Sequence, residues 1–290
     1  MAVQKMEITV AQDAGYCFGV RDAVQLAYEA TEQYGQVYML GDIVHNEQVV
    51  RDLAAVGAKV VETLDDVPDG APVLFRAHGT SVDLWDQARQ KNIVVIDATC
   101  PLVRDIHEEV RRTSADGRQV IIIGDHGHDE VVGIASQALH PIIVATPEEA
   151  QDLRKMKRAA VVCQSTQKIQ NVQAVITVLL TKVYDLHFVN TICFPTKRNH
   201  EQIKVLAAAS DLMIVIGSFT SANSKRLTTL AQERNPRTYQ VTCAADLRPE
   251  WIRGAEKVGI TAGASTPDYL ITEVKEALEA MFKQKQTTVA

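Results

Sequence analysis

Short apolar runs alternate with amphipathic stretches along almost the whole chain, and this alternation limits the fold more than any other feature. A brief run rich in Val and Ile reads as a buried strand. A following stretch with apolar residues every three or four positions reads as the helix that covers it. Repeated from end to end, the pattern specifies an α/β protein with mainly parallel sheets. The predicted strands are residues 6–10, 73–76, 93–96, 119–123, 160–162, 185–189, 212–216 and 257–261. The predicted helices are 21–34, 46–56, 101–113, 165–181, 200–209 and 267–281, the last capped by Ser265 or Thr266 with Pro267 in its first turn. The polar tail KQKQTTVA is expected to fray.

At 31.9 kDa the chain can bury one large core or two to three small ones. Its formal charge of −6 opposes a broad electrostatic grip on nucleic acid but leaves room for a local anion pocket. No apolar run is long enough for a membrane helix and no secretory leader is visible, so a cytoplasmic location is expected. Five cysteines in 290 residues do not make a disulfide framework, which leaves metal ligation or free thiols.

Three of those cysteines, Cys17, Cys100 and Cys193, lie 83 and 93 residues apart, and each is the last residue before a predicted helix. Pro101 follows Cys100 directly and Pro195 lies two residues past Cys193, both suited to a first helical turn. Gly15 and Gly19 flank the Cys17 turn and would let backbone approach a bulky group. Free N–H groups and the dipole at a helix start favour thiolate, so three such sulfurs suit a shared metal centre. The plainer alternative, that all five are small buried hydrophobes, stays open, and it suits Cys163 and Cys243 in their apolar runs. Boundaries near residues 98–101 and 191–196 divide the chain into expected lobes 1–98, 99–192 and 193–290.

Ligands in an open α/β sheet bind beyond the carboxyl ends of the strands, and polar residues collect there in this chain. His45 lies in LGDIVHNEQ, His78 in FRAHGTS and His128 in GDHGHDEV; Ser165 and Thr166 follow VVCQ; Ser221, Asn223 and Ser224 follow VIGSFT; Ser265 and Thr266 close GITAGAST. Histidines, hydroxyls and amides in such positions suit a phosphate or diphosphate, although Ser224 and Thr266 would also serve as plain helix caps. Glu130, enclosed by structure, would be a proton source; alternatively Asp129 and Glu130 simply favour a helix start. His126 is a spare candidate, and Lys197, Arg198, Lys225 and Arg226 are too scattered for an RNA face. GxGxxG after the first strand, GxxxxGK[ST], HExxH and GxSxG are all missing, which removes support for nicotinamide, P-loop, zinc-protease and nucleophile-elbow chemistry.

Taken in order, GYCFGV, GDIVHN, RAHG, DATCPLV, GHDEVVG, QST, NTIC, SANSKRL and TAGAST resemble the 4-hydroxy-3-methylbut-2-enyl diphosphate reductase family over nearly the whole chain. The resemblance implies a three-lobed, pseudo-threefold α/β fold around a central [4Fe–4S] cluster held by Cys17, Cys100 and Cys193 with one open iron. It implies that His45, His78 and His128 line a substrate cavity and that Ser221, Asn223 and Ser265 hold the diphosphate. Glu130 matches the acid of proton delivery, with Ser165 or Thr166 assisting the relay, and Ser165 stands where the pattern usually has threonine. The implied reaction is reductive dehydroxylation to isopentenyl and dimethylallyl diphosphates, with electrons from reduced ferredoxin or flavodoxin, in a monomer with no nucleic-acid or membrane partner. The chain departs from the usual pattern at Ala222 (SAN for SSN), Asp129 (GHDE for GHPE) and Thr80 (HGTS for HGVS).

Overall fold

The computed structural model describes residues 6–289, with side chains through residue 284. In chain order the elements begin β1 (Glu7–Val10), α1 (Phe18–Tyr34), β2 (Val37–Leu40), α2 (Glu47–Ala55), β3 (Ala58–Val61), β4 (Pro72–Phe75), α3 (Val82–Gln90) and β5 (Val94–Asp97). Next come α4 (Pro101–Ala115), β6 (Gln119–Ile123), α5 (Asp129–Ala135), β7 (Ile142–Val144), α6 (Pro147–Gln151), β8 (Met156–Cys163), α7 (Ile169–Lys182) and β9 (Val183–Phe188). The chain continues with α8 (Phe194–Ala209), β10 (Leu212–Ile216), α9 (Ala222–Gln232), β11 (Thr238–Val241), β12 (Lys257–Ala262) and α10 (Asp268–Val289).

The strands form three four-stranded sheets, ordered β3-β2-β4-β5, β7-β6-β8-β9 and β1-β12-β10-β11, and every pairing is parallel. Parallel strands need crossovers, and helices supply them, so inner strands are covered on both faces. In β10, LMIVI, every residue is buried, and four of the five residues of β6 are as well. Helix α4 buries Val103, Ile106, His107, Val110 and Thr113, a three-and-four spacing that makes one stripe, and it starts on Pro101. Fully burying each large apolar side chain stabilises the fold by roughly 1.5–3 kcal/mol.

Two compact units divide the chain. One comprises residues up to Phe18, His45–Glu47 and residues from Phe194 onward; the other comprises Gly19–Val44 and Gln48–Cys193. The first holds the sheet of β1, β12, β10 and β11, whose core includes Ile214, Ile216, Val258, Ile260, Leu270 and Val274. The second holds the other two sheets, with cores around Leu64, Val73 and Phe75 and around Ile121, Val161 and Leu179. Strand β1 pairs with β12, Glu7 opposite Lys257, rather than with a strand near it in sequence.

Strands β6 and β10 have the predicted limits, and a helix begins directly after each of Cys17, Cys100 and Cys193. Several helix expectations need correction: α1 starts at Phe18 rather than Arg21, and α8 at Phe194 rather than His200. Helix α7 starts at Ile169 rather than Ser165, because Ser165 bonds Glu130 instead of entering a helical turn. Helix α10 starts at Asp268, and the Thr266 hydroxyl donates to Ile216 O (3.1 Å) rather than capping it. The tail expected to fray continues α10 through Val289; its last residue lies outside the described residues.

Candidate active site

The unit spanning Gly19–Val44 and Gln48–Cys193 gathers the predicted proton-handling residues. Helix α5 opens with His128 as its N-cap, and the ring Nδ1 accepts the Glu130 N–H (3.2 Å). With Nδ1 engaged as acceptor, Nε2–H remains the donor of a neutral ring. The His78 ring, in the turn after β4, stands edge-on to that of His128 with centroids 5.8 Å apart. Glu130, only 2% exposed, turns both carboxylate oxygens to Ser165: Oε1 accepts the backbone N–H (2.6 Å) and Oε2 the hydroxyl (2.9 Å). The carbonyl of the same Ser165 accepts the Cys193 N–H (3.0 Å). A single residue thus joins the buried acid to one of the three helix-start cysteines. Thr166, half-buried, follows it.

Cys100 takes the N-cap position of α4 and donates its N–H to Ala77 O (3.0 Å), the residue before His78. A Cβ built on Gly19 would lie 2.4 Å from Cys100 Sγ. Only glycine lets the start of α1 pass this close, so Gly19 keeps the space beside a sulfur, as expected of a residue near Cys17, but the sulfur is that of Cys100. Cys100 and Cys193 are half-buried and form no disulfide.

The other unit carries Cys17, His45, Ser221, Asn223 and Ser265. Cys17 is half-buried and forms no disulfide, and its N–H donates to Ala264 O at 3.4 Å. The neighbouring Ser265 hydroxyl donates to His45 O (3.0 Å). Helix α9 is capped by Ser221, whose hydroxyl accepts the Ser224 N–H (3.3 Å), so the cap is Ser221 and not Ser224. In the same first turn Asn223, 7% exposed, and Ser224, fully buried, have side-chain atoms, Nδ2 and Oγ, with no hydrogen-bond partner. The backbone at Gly263 passes against both: a Cβ there would lie 2.2 Å from Ser224 Oγ and 3.7 Å from Asn223 Nδ2. A buried donor is costly unless something accepts from it, and an anion at a helix N-terminus is a fitting acceptor.

Some candidates fall outside these clusters. His126 is exposed and paired with Glu149 (2.8 Å), Arg198 binds Asp13 (2.6 Å), and Cys163 is sealed in a core. Cys243 is half-buried against the core of its sheet. Two residues of consequence carried no sequence signal of their own. Gln164, fully buried, accepts the Asp125 N–H (3.0 Å) and so ties the turn before His128 to the strand end before Ser165. His107, on the buried stripe of α4, has an unpartnered Nε2, and burial pushes its pKa down to about 4. Among the described residues, no helix is long and apolar enough to cross a membrane.

The chain has close relatives of known name. A model of the LytB protein family matches residues 8–279. A 4-hydroxy-3-methylbut-2-enyl diphosphate reductase of Geobacter sulfurreducens is 44% identical over 283 residues, covering 97% of this chain and all of the relative. The reductase of the same name from Geobacter metallireducens is 42% identical over 281 residues, covering 97% of this chain and 99% of the relative. Among solved structures, the E-1-hydroxy-2-methyl-but-2-enyl-4-diphosphate reductase of Plasmodium falciparum superposes with a TM-score of 0.90 at 29% identity, covering 95% of this chain and 88% of that one. Another, titled as the terminal enzyme of the non-mevalonate pathway, superposes with a TM-score of 0.71 at 37% identity, covering 95% of this chain and 99% of that one. With a family match across nearly its full length and relatives well above 30% identity, the chain belongs to the LytB protein family of 4-hydroxy-3-methylbut-2-enyl diphosphate reductases.

Proposed function

We propose that this chain catalyses the reductive dehydroxylation of (E)-4-hydroxy-3-methylbut-2-enyl diphosphate to isopentenyl and dimethylallyl diphosphates, the last step of the non-mevalonate pathway. The observation that carries the residue-level reading is the buried Glu130–Ser165 pair, joined through the Ser165 carbonyl to Cys193. Removing a hydroxyl reductively takes two electrons and two protons: a C–O bond breaks, a C–H bond forms and water leaves. The protein must therefore hold a proton where the oxygen departs. A protonated Glu130 would donate to Ser165 Oγ, and the serine would pass its own proton to the leaving oxygen, using the hydrogen bond already in place. Thr166 is the second hydroxyl of this relay, and His128 offers Nε2–H to the substrate beside His78.

Cys17, Cys100 and Cys193 are the proposed cysteine ligands of a [4Fe–4S] cluster with one open iron. Their chemistry fits it: each is half-buried, outside any disulfide and directly before a helix, and Gly19 leaves Cys100 Sγ uncrowded. When bound, such a cluster supplies single electrons and a Lewis-acidic iron. Ser221, Asn223 and Ser265, with His45, are the proposed diphosphate and substrate contacts of their unit, supported by the unpartnered Asn223 amide in the first turn of α9. The chain shows no flavin or nicotinamide motif, so the electrons come from an external donor, a reduced ferredoxin or flavodoxin.

An anaerobic assay with substrate and reduced ferredoxin, with product identification and iron and sulfide analysis, tests the reading. Formation of both diphosphate products at about four irons per chain is expected. Turnover without any reductant would instead assign a non-redox dehydratase, and a colourless folded protein would remove the cluster.

A further inference from the structure

Two of the three histidines of the proposed substrate site, His78 and His128, stand on turns, not on regular structure. His78 lies in the turn that Gly79 N–H closes onto Arg76 O (3.1 Å), and His128 in the turn its own N–H closes onto Asp125 O (3.2 Å). No ladder fixes their rings relative to each other. An ion pair between Arg76, two residues before His78, and Asp129, directly after His128, ties the two turns together. An Asp129 carboxylate oxygen also lies within 4.8 Å of a His78 ring nitrogen, and the Arg76 guanidinium rests against the backbone of Gly41.

We propose that Asp129, acting through Arg76, is a positioning residue that sets the mutual orientation of His78 and His128 for diphosphate substrate. The pair is part-exposed, 21% for Arg76 and 31% for Asp129, so it adds little to global stability. Its effect is local: it holds the turn after β4 to the first turn of α5. Proline would make the second turn rigid by another route. Asp129 is the first residue of α5, where proline is favoured, and His128 has φ −69° and ψ 135°, the conformation required before proline. The GHDE of this chain and the GHPE pattern are then two ways to fix one turn, one by an inter-loop ion pair and one by a ring.

The inference rests on the proposed diphosphate site, and a double-mutant cycle on the holoenzyme tests it. Calorimetric binding of isopentenyl diphosphate, KM, kcat and melting temperature are compared for the unaltered protein, Arg76→Gln, Asp129→Asn, Asp129→Pro and the Arg76→Gln/Asp129→Pro double variant. Arg76→Gln and Asp129→Asn should each weaken binding and raise KM by about tenfold, with a smaller fall in kcat and little change in melting temperature. Asp129→Pro should restore binding to within about twofold, and in that background Arg76→Gln should add less than about twofold. Equal penalties from Arg76→Gln in both backgrounds, or a fall in melting temperature with binding unchanged, would overturn the proposal. An unaltered holoenzyme that binds no isopentenyl diphosphate would overturn the diphosphate reading, and this inference with it.

Discussion

The first turn of α9 and the Glu130–Ser165 pair treat buried polar groups in opposite ways. Glu130 has both oxygens engaged by one serine, whereas Asn223 Nδ2 and Ser224 Oγ are buried without a partner. A satisfied acid is held in one orientation, which suits the proton relay proposed for it. A buried, unsatisfied donor spends stability and is affordable where a ligand supplies the acceptor. The contrast separates a region built to keep its own geometry from one built to be completed.

Four measurements can break or sharpen this contrast. Glu130→Gln keeps the shape and can still bond Ser165, so substrate binding should hold while kcat falls about 10²–10⁴-fold; an unchanged kcat would strike Glu130 from the relay. The next effect tests whether burial without a partner always signals a ligand. His107 has such an atom, yet its depressed pKa marks it as neutral packing. Its folded pKa of about 4 lies below the ordinary imidazole value of 6.5, so between these values the unfolded chain binds more protons and stability falls as pH falls. Urea unfolding should lose about 3 kcal/mol from pH 7 to 4 through this residue, and a loss no smaller in His107→Gln would refute the assignment. Ser165→Ala leaves a buried carboxylate oxygen without its hydroxyl and should lower unfolding free energy by about 2 kcal/mol. Asn223→Ala should weaken binding of isopentenyl diphosphate by about tenfold, or ~1.4 kcal/mol, with less loss of stability than Ser165→Ala; the reverse ranking would dissolve the comparison.

Local structure was readable from the sequence, and long-range pairing was not. Runs such as LMIVI and QVIII announce β10 and β6 because both faces of an inner parallel strand are buried. The short strands β3, β7 and β11, at sheet edges, have weaker patterns and escape the same reading, as do inner β2 and the helices α3 and α6. The cysteine junctions are legible because proline and the apolar spacing mark where a helix starts. That Glu130 meets Ser165, 35 residues on, or Arg76 meets Asp129, 53 residues on, depends on how sheets and turns pack, which no local pattern records. Ser165 shows the limit well: it reads as a helix start, and its tertiary contact with Glu130 keeps it out of the helix.

The pairing of β1 with β12 also sets an order of events. Glu7 finds its ladder partner at Lys257, so the strand leading to Cys17 leaves the ribosome some 250 residues ahead of the strand that seats it. Unit residues 19–44 and 48–193 contain both of their sheets entirely and can close while synthesis continues. Cys100 and Cys193 thus sit in or border the part that settles early, and Cys17, the first of the three thiols to be made, is the last to gain a fixed place.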